Sequence, residues 1–195
     1  MSIHYNQAVY LTSATTVAQL PADTGREIAF VGRSNAGKSS ALNAITNIKG
    51  LARTSSAPGR TQMINYFEID ESHRLVDLPG YGFAKVPPAI KARWEKTTAD
   101  YLEHRESLVG LMMVMDCRHP LKPLDQQMIN WCVDFAVPLH ILLTKADKLT
   151  KNEQNKALFT VQNALALKNV SVQLFSALKK IGLDAARNVL DSWFK

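Results

Sequence analysis

Cysteine is scarce in this chain of 195 residues: Cys117 and Cys132 are the only two, and neither belongs to a Cys-x-x-Cys pair. Two isolated thiols build neither a disulfide framework nor a zinc or dithiol-redox motif, so both read as core or near-core thiols in a reducing compartment. Long apolar runs are missing as well. The longest, Leu108 to Met115, is broken by Gly110 and falls far short of the ~20 residues that cross a bilayer. The first six residues lack a charged-then-apolar leader pattern, and the ending Asp191–Lys195 carries neither a lipidation box nor an amphipathic anchor. The five histidines, His4, His73, His104, His119 and His140, are scattered. They offer no Ser/His/Asp triad, and His119 before Pro120 reads as a turn former. No repeat, low-complexity tract or linker divides the chain. The expectation is a cytoplasmic monomer with no membrane partner, made of an N-terminal extension (1–24) packed on one domain (25–195).

What is present is ordinary globular material, 46% hydrophobic and 21% charged, which excludes disordered and collagen-like chains. Basic residues outnumber acidic ones 23 to 17, a net charge of +6. Such an excess favours an anionic partner, nucleic acid before membrane, because neutralising phosphates releases counterions. A solubility charge with no partner is the alternative.

Apolar patterning predicts strands at Glu27–Val31, Met63–Ile69, Arg74–Leu78, Leu108–Met115, Leu139–Leu143 and Val170–Phe175, with a further short strand near Ala8–Thr12. Helices are predicted over Lys38–Ile48, from Pro87-Pro88 to about His104, over Leu124–Phe135, from about Asn152 to Leu167, and from about Gly182 to Phe194. The basic segment from Lys49 to Gln62 has no apolar periodicity and reads as a mobile loop outside the core. Continuous apolar strands alternating with helices describe an α/β fold of three layers, a mostly parallel sheet of about six strands with one antiparallel strand and helices on both faces.

Between the first strand of that sheet and its helix lies Gly32-Arg33-Ser34-Asn35-Ala36-Gly37-Lys38-Ser39, which fits G-x-x-x-x-G-K-[ST] at every fixed position. Its glycines let the backbone N–H groups turn inward, and the helix N-terminus adds positive potential for a phosphate chain. Lys38 is then the group that reaches the outer phosphates, and the Ser39 hydroxyl a ligand for Mg2+. By itself the loop specifies only a nucleoside triphosphate.

Four more segments follow in order. Asp77-Leu78-Pro79-Gly80 ends a strand, where a carboxylate can hold the water shell of Mg2+ and a glycine N–H can approach the last phosphate. Thr144-Lys145-Ala146-Asp147 follows another strand; there Asp147 can accept both the N1–H and the exocyclic amine of guanine, a donor pair that adenine lacks. Lys145 would lie along the base, and Lys148 reads as solvated. Ser176-Ala177-Leu178 follows the last strand, where its backbone could contact the guanine carbonyl, and Phe175 joins the candidate nucleotide-binding residues. In the basic loop Thr61 is the candidate for a second Mg2+ hydroxyl, preferred to Thr54 because Pro58-Gly59-Arg60-Thr61 leads straight into the hairpin strand.

Together GRSNAGKSS from Gly32, PGRTQ from Pro58, DLPGYGFA from Asp77, DCRHPL from Asp116, LLTKADKL from Leu142 and FSALKK from Phe175 resemble the EngB (YihA/YsxC) family of ribosome-biogenesis GTPases. That family sits among the TrmE-Era-EngA-EngB-septin-like P-loop GTPases. The resemblance implies a Ras-like domain that hydrolyses GTP with Mg2+, and a role in assembly of the large ribosomal subunit, with cell division affected through that role. It implies a precursor of that subunit, rRNA and ribosomal protein, as partner. It also implies nucleotide contacts from Gly59, Arg60, Thr61, Gln62 and Met63, with Lys38, Thr61 and Gly80 at the reacting phosphate. Lys49, Arg53, Arg60, Lys85, Lys91 and Arg93 become candidate partner-facing charges.

Tyr81 follows Gly80, where Ras-type enzymes carry a water-positioning glutamine. Slow intrinsic hydrolysis, accelerated by a partner or a cation, is the expectation. Asn35 matches an asparagine that related GTPases use toward K+, although an amide here can equally brace its own loop. Two alternatives stand beside the ribosomal switch: a P-loop small-molecule kinase, in which the Thr144–Asp147 match is an accident, and a GTPase with a non-ribosomal partner. Guanine selectivity separates the first from the switch.

Overall fold

A computed structural model of the chain describes residues 3–53, 63–81, 88–165 and 170–195, the side chains of 88–95 excepted. Seven strands form one sheet: β1 (Val9–Ala14), β2 (Arg26–Gly32), β3 (Ile64–Asp70), β4 (His73–Asp77), β5 (Leu108–Asp116), β6 (Leu139–Thr144) and β7 (Val170–Leu174). Their spatial order is β1-β3-β4-β2-β5-β6-β7. Only β3 runs against its neighbours. The seventh strand is β1, an edge strand whose register slips between Tyr10 and Thr12; a bulge of this kind twists an edge away from unwanted pairing.

Among the described residues five α-helices cover the two faces: α1 (Lys38–Thr46), α2 (Pro88–His104), α3 (Pro123–Asp134), α4 (Lys151–Ala164) and α5 (Leu183–Trp193). Side chains alternate along β2, so Ile28 and Phe30 pack with Leu42 and Ile45 of α1 and Leu190 of α5. Ala29 and Val31 face the other way, in the cluster that holds Tyr101 of α2, Ile129 of α3 and Val161 of α4. Both faces being covered, the interior strands need apolar residues at nearly every position, which is why they read as unbroken runs. Leu42 is fully buried, and its truncation to alanine would cost about 2–5 kcal/mol through lost contacts and a cavity. Cys117 and Cys132 are buried as expected. Burial pushes their thiols up to about 11 and about 12, so both stay protonated and unreactive at neutral pH.

Two expectations need correction. The first helix stops at Thr46 rather than Ile48, because Asn47 takes a left-handed φ of 56° and its N–H turns back to Ala44 O, the local ending that asparagine tolerates. The segment after it is a loop but does not lie wholly outside the core. Ala52 is buried in the core, and the Asn43 side chain bonds both its N–H (2.7 Å) and its carbonyl (2.9 Å). Burial and a side chain acting as a backbone substitute are invisible to apolar periodicity.

All strands but β3 point the same way, so the carboxyl ends of β2, β4, β5, β6 and β7 share one rim. Beside β2 the helices after β4 and β5 lie on the face opposite α1. Loops that diverge in this manner leave a crevice at the end of β2, the usual ligand position in open α/β sheets. At the other end of β2 sits Glu27, fully buried. Arg105, just beyond α2, donates to it through Nε (3.0 Å) and Nη2 (2.6 Å), and the Tyr101 hydroxyl adds a third bond (3.1 Å). The same guanidinium also donates to the carbonyls of Pro21 and Ala22. The end of α2 and the stretch before β2 are thereby fastened to one carboxylate.

Candidate functional site

The phosphate-type loop curls over the end of β2 because two residues take left-handed backbone, Asn35 (φ 63°) and Gly37 (φ 100°). Asparagine tolerates this region and glycine enters it freely. Lys38 and Ser39 occupy the first turn of α1, where backbone N–H groups have no helical carbonyl to meet. Lys38 is buried and its ammonium pairs with Asp77, also buried, at the end of β4. The two members of this pair are the groups assigned to phosphate and to the Mg2+ water shell. Leu78 is in the core behind them, with its N–H on Phe30 O (3.0 Å). Gly80 lies against the loop itself, where an added Cβ would come within 3.3 Å of the Ser34 nitrogen. A side chain at Gly80 would therefore push directly on the phosphate loop.

On the far side of β2 the ends of β5, β6 and β7 converge. The Thr144 hydroxyl sits 2.5 Å from Ala36 O and 3.0 Å from Met115 O, sharing one hydrogen between them. Lys145 adopts a left-handed φ of 59°. Its ammonium donates to Asn35 O at 2.8 Å and pairs with Asp116 at 3.0 Å. Thr144 at the end of β6 and Lys145 just after it thus hold the phosphate loop directly. Lys148 is well exposed. Asp147 accepts the Ser176 hydroxyl at 2.5 Å. Ser176 is itself locked, its N–H and carbonyl paired with Ile181 and its Oγ accepting the Lys179 N–H. Phe175 is buried and takes the Ala146 N–H on its carbonyl, and Ala177 follows Ser176 half-buried.

The structure brings together Gly32 through Ser39, Asp77 through Gly80, Thr144 through Asp147 and Phe175 through Ala177. Met63 is exposed just before β3. Gly59, Arg60, Thr61, Gln62 and Thr54 lie outside the described residues, as do Lys85 and the side chains of Lys91, Arg93 and Trp94; Lys49 and Arg53 are exposed.

Three participants are missing from the sequence reading. Asp116 ends β5 as Asp77 ends β4. It receives Arg118 side-on, Nε to Oδ1 at 2.9 Å and Nη2 to Oδ2 at 2.7 Å, besides Lys145. Burial acts to raise the Asp116 carboxyl, but the hydrogen bonds from Arg118 and Lys145 outweigh it and hold the group well below the usual carboxylate range. The rule that parallel strand ends carry sites would have singled this residue out. The Ser176 hydroxyl is the second, since that segment was read for its backbone. Third is Asp125 at the start of α3, which takes the Tyr81 hydroxyl at 2.7 Å; nothing in the local sequence joins the two.

With this geometry in place, the comparisons agree. A family model described as 50S ribosome-binding GTPase matches residues 27–145. A probable GTP-binding protein EngB of Coxiella burnetii (strain RSA 493) is 56% identical over 193 residues, 98% of this chain and 94% of that protein. Its counterpart in Escherichia coli O9:H4 (strain HS) is 54% identical over 195 residues, 99% and 93% of the two chains. A crystal structure of a probable GTP-binding protein EngB superposes with a TM-score of 0.70 at 20% identity, over 86% of this chain and 98% of that one. Era, solved with MgGDPNP and a 16S ribosomal RNA segment, gives 0.69 at 19% identity over 87% and 57%. At such identities the structural likeness concerns the fold. The extended sequence identities and the family model decide the rest: the chain belongs to the EngB family of GTP-binding proteins, among the 50S ribosome-binding GTPases.

Proposed function

We propose that this GTPase is a switch that acts, in its GTP-bound form, on precursors of the large ribosomal subunit, with rRNA and ribosomal protein as its partner and cell division affected through that role. The observation that carries the reading is Asp147, held by Ser176 on the rim of the sheet and joined through Lys145 to the phosphate loop. A carboxylate fixed in this way is ready to accept two guanine donors without reorganising. Adenine would leave it desolvated and unpaired, which costs selectivity of several orders of magnitude.

Gly32 to Ser39 would surround the phosphates, with Lys38 exchanging Asp77 for phosphate oxygens. Hard oxygen donors suit Mg2+: the Ser39 hydroxyl and, through water, Asp77, with Thr61 as second hydroxyl. Bound there, Mg2+ would neutralise charge on the outer phosphates. In the hydrolytic step water attacks the γ-phosphorus and the bond to the β-γ bridging oxygen breaks, releasing GDP and phosphate. Thr61 and the Gly80 N–H would lose their contact when that phosphate leaves, so the loops they belong to relax. Tyr81 has its hydroxyl on Asp125 and offers no amide to orient water. Slow intrinsic turnover follows, and Asn35, exposed on the loop, is the residue we assign to K+ stimulation. Turnover that is equal in K+ and Na+ buffers would remove that assignment.

Co-sedimentation with large ribosomal subunits tests the proposal. GTP-dependent binding that weakens as salt rises is the expected result. Guanine-selective binding with no sedimentation in any nucleotide state would leave a GTPase with a different partner.

A further inference from the structure

Tyr81 is tied down on three sides. Its N–H donates to Gly32 O (3.2 Å), its carbonyl accepts the Ser34 N–H (3.0 Å), and its hydroxyl donates to Asp125 Oδ1 (2.7 Å). The other oxygen of Asp125 accepts the Lys122 N–H at 3.0 Å, closing the first turn of α3. Asp125 is almost wholly buried. Burial raises the phenol far above the usual tyrosine range and lifts the carboxyl as well. The strand end after Asp77 is therefore bolted both to the phosphate loop and to a helix on the opposite face.

Gly80, immediately before this bolt, is the residue that lies on the phosphate loop at Ser34. Under the reading proposed above, on which this inference rests, its N–H meets only the outermost phosphate; a diphosphate ends short of it. Any cost of ordering Gly80 is then charged against GTP and not against GDP. A hydrogen bond that holds Tyr81 in place meets that cost in advance, the general effect of preorganisation. We infer that the Tyr81–Asp125 hydrogen bond is a positioning element that sets the preference of the site for nucleoside triphosphate over diphosphate. Asp125 touches no nucleotide in this account and acts through Tyr81 and Gly80.

The test is calorimetric binding of GDP and of a non-hydrolysable β,γ-imido GTP analogue to the full chain, as wild type, Tyr81→Phe, Asp125→Ala, Asp125→Asn and the Tyr81→Phe/Asp125→Ala double variant. Tyr81→Phe keeps the ring and its packing, and thermal melting verifies that each variant is folded. Either single loss should weaken the analogue by about tenfold, the scale of one hydrogen bond to a charged group, and leave GDP within about twofold. The double variant should be no worse than Asp125→Ala alone, since both single changes remove the same Tyr81–Asp125 bond. Asp125→Asn should restore the preference, its amide donating to Tyr81 while its carbonyl accepts the Lys122 N–H. An unchanged analogue-to-GDP ratio in Tyr81→Phe, or equal weakening of both ligands, would overturn the inference. Failure of the wild type to bind either guanine nucleotide would instead overturn the reading beneath it.

Discussion

Arg105 on Glu27 and Arg118 on Asp116 are the same side-on fork, built at opposite ends of the sheet. The distances differ by no more than 0.1 Å, 3.0 and 2.6 Å for the first and 2.9 and 2.7 Å for the second. Their surroundings differ entirely. The Arg105 side chain is 6% exposed and Glu27 is sealed, whereas Arg118 is 42% exposed. The further partners of the inner fork belong to the frame of the fold: the carbonyls of Pro21 and Ala22, the Asp23 carboxylate, the Tyr66 ring, the Tyr101 hydroxyl, and Arg74, which also reaches the Thr24 carbonyl. The outer fork instead shares its carboxylate with Lys145, which holds the phosphate loop. Ion pairing at the amino end thus fastens elements together. At the carboxyl end it orients groups that a ligand can still reach.

The sharpest way to break this comparison is to remove each arginine. Arg105→Ala takes both short bonds from a sealed carboxylate, leaving it only the Tyr101 hydroxyl and the longer contact to Arg74, and should cost about 3–5 kcal/mol of folding stability, read from urea unfolding. Arg118→Ala should leave the urea midpoint close to the wild type, because an exposed pair is screened and its partner keeps Lys145. Equal losses would mean that the two ends do the same job.

Next in size is Ser176→Ala, which takes from Asp147 the hydroxyl that aims it. Guanine nucleotide affinity should fall about tenfold, the scale of a hydrogen bond to a charged acceptor, with little change in the unfolding midpoint. A fall in stability without a fall in affinity would place Ser176 with the frame.

The smallest effect concerns His140, second residue of β6 and so near the amino end. It is buried between Ser171 (2.7 Å) and Gln173 (2.9 Å). Burial holds the imidazole below its usual range despite the Gln173 hydrogen bond. Below about 6.5 the unfolded chain therefore takes up the proton first, so stability falls as pH drops through that value and is flat above it. His140→Gln should remove that part of the slope between about pH 7.5 and 5.5. Nucleotide affinity should show no matching change, since His140 is remote from the rim in sequence and in strand position.

Periodicity located the strands and helices within a few residues because both faces of the sheet are covered and each face leaves its own apolar mark. The sequence suggests the phosphate loop and the Thr144–Asp147 segment because the roles proposed for them depend on residues next to one another in the chain. The braces were not. Asp116 with Lys145 and Asp147 with Ser176 each join two different loops, 29 residues apart in both cases, and Tyr81 with Asp125 are separated by 44. The sealed Glu27 looks from sequence like an ordinary charged residue opening a strand. Only the fold shows which carboxylates have found partners.

The most direct test of the account is calorimetric titration of the wild type and Asp147→Asn with GTP and with ATP. The account predicts that the wild type binds GTP at least about 100-fold more tightly than ATP, and that the preference collapses in the variant. Equal affinity of the wild type for the two nucleotides would contradict it and return the phosphate loop to a kinase-like reading.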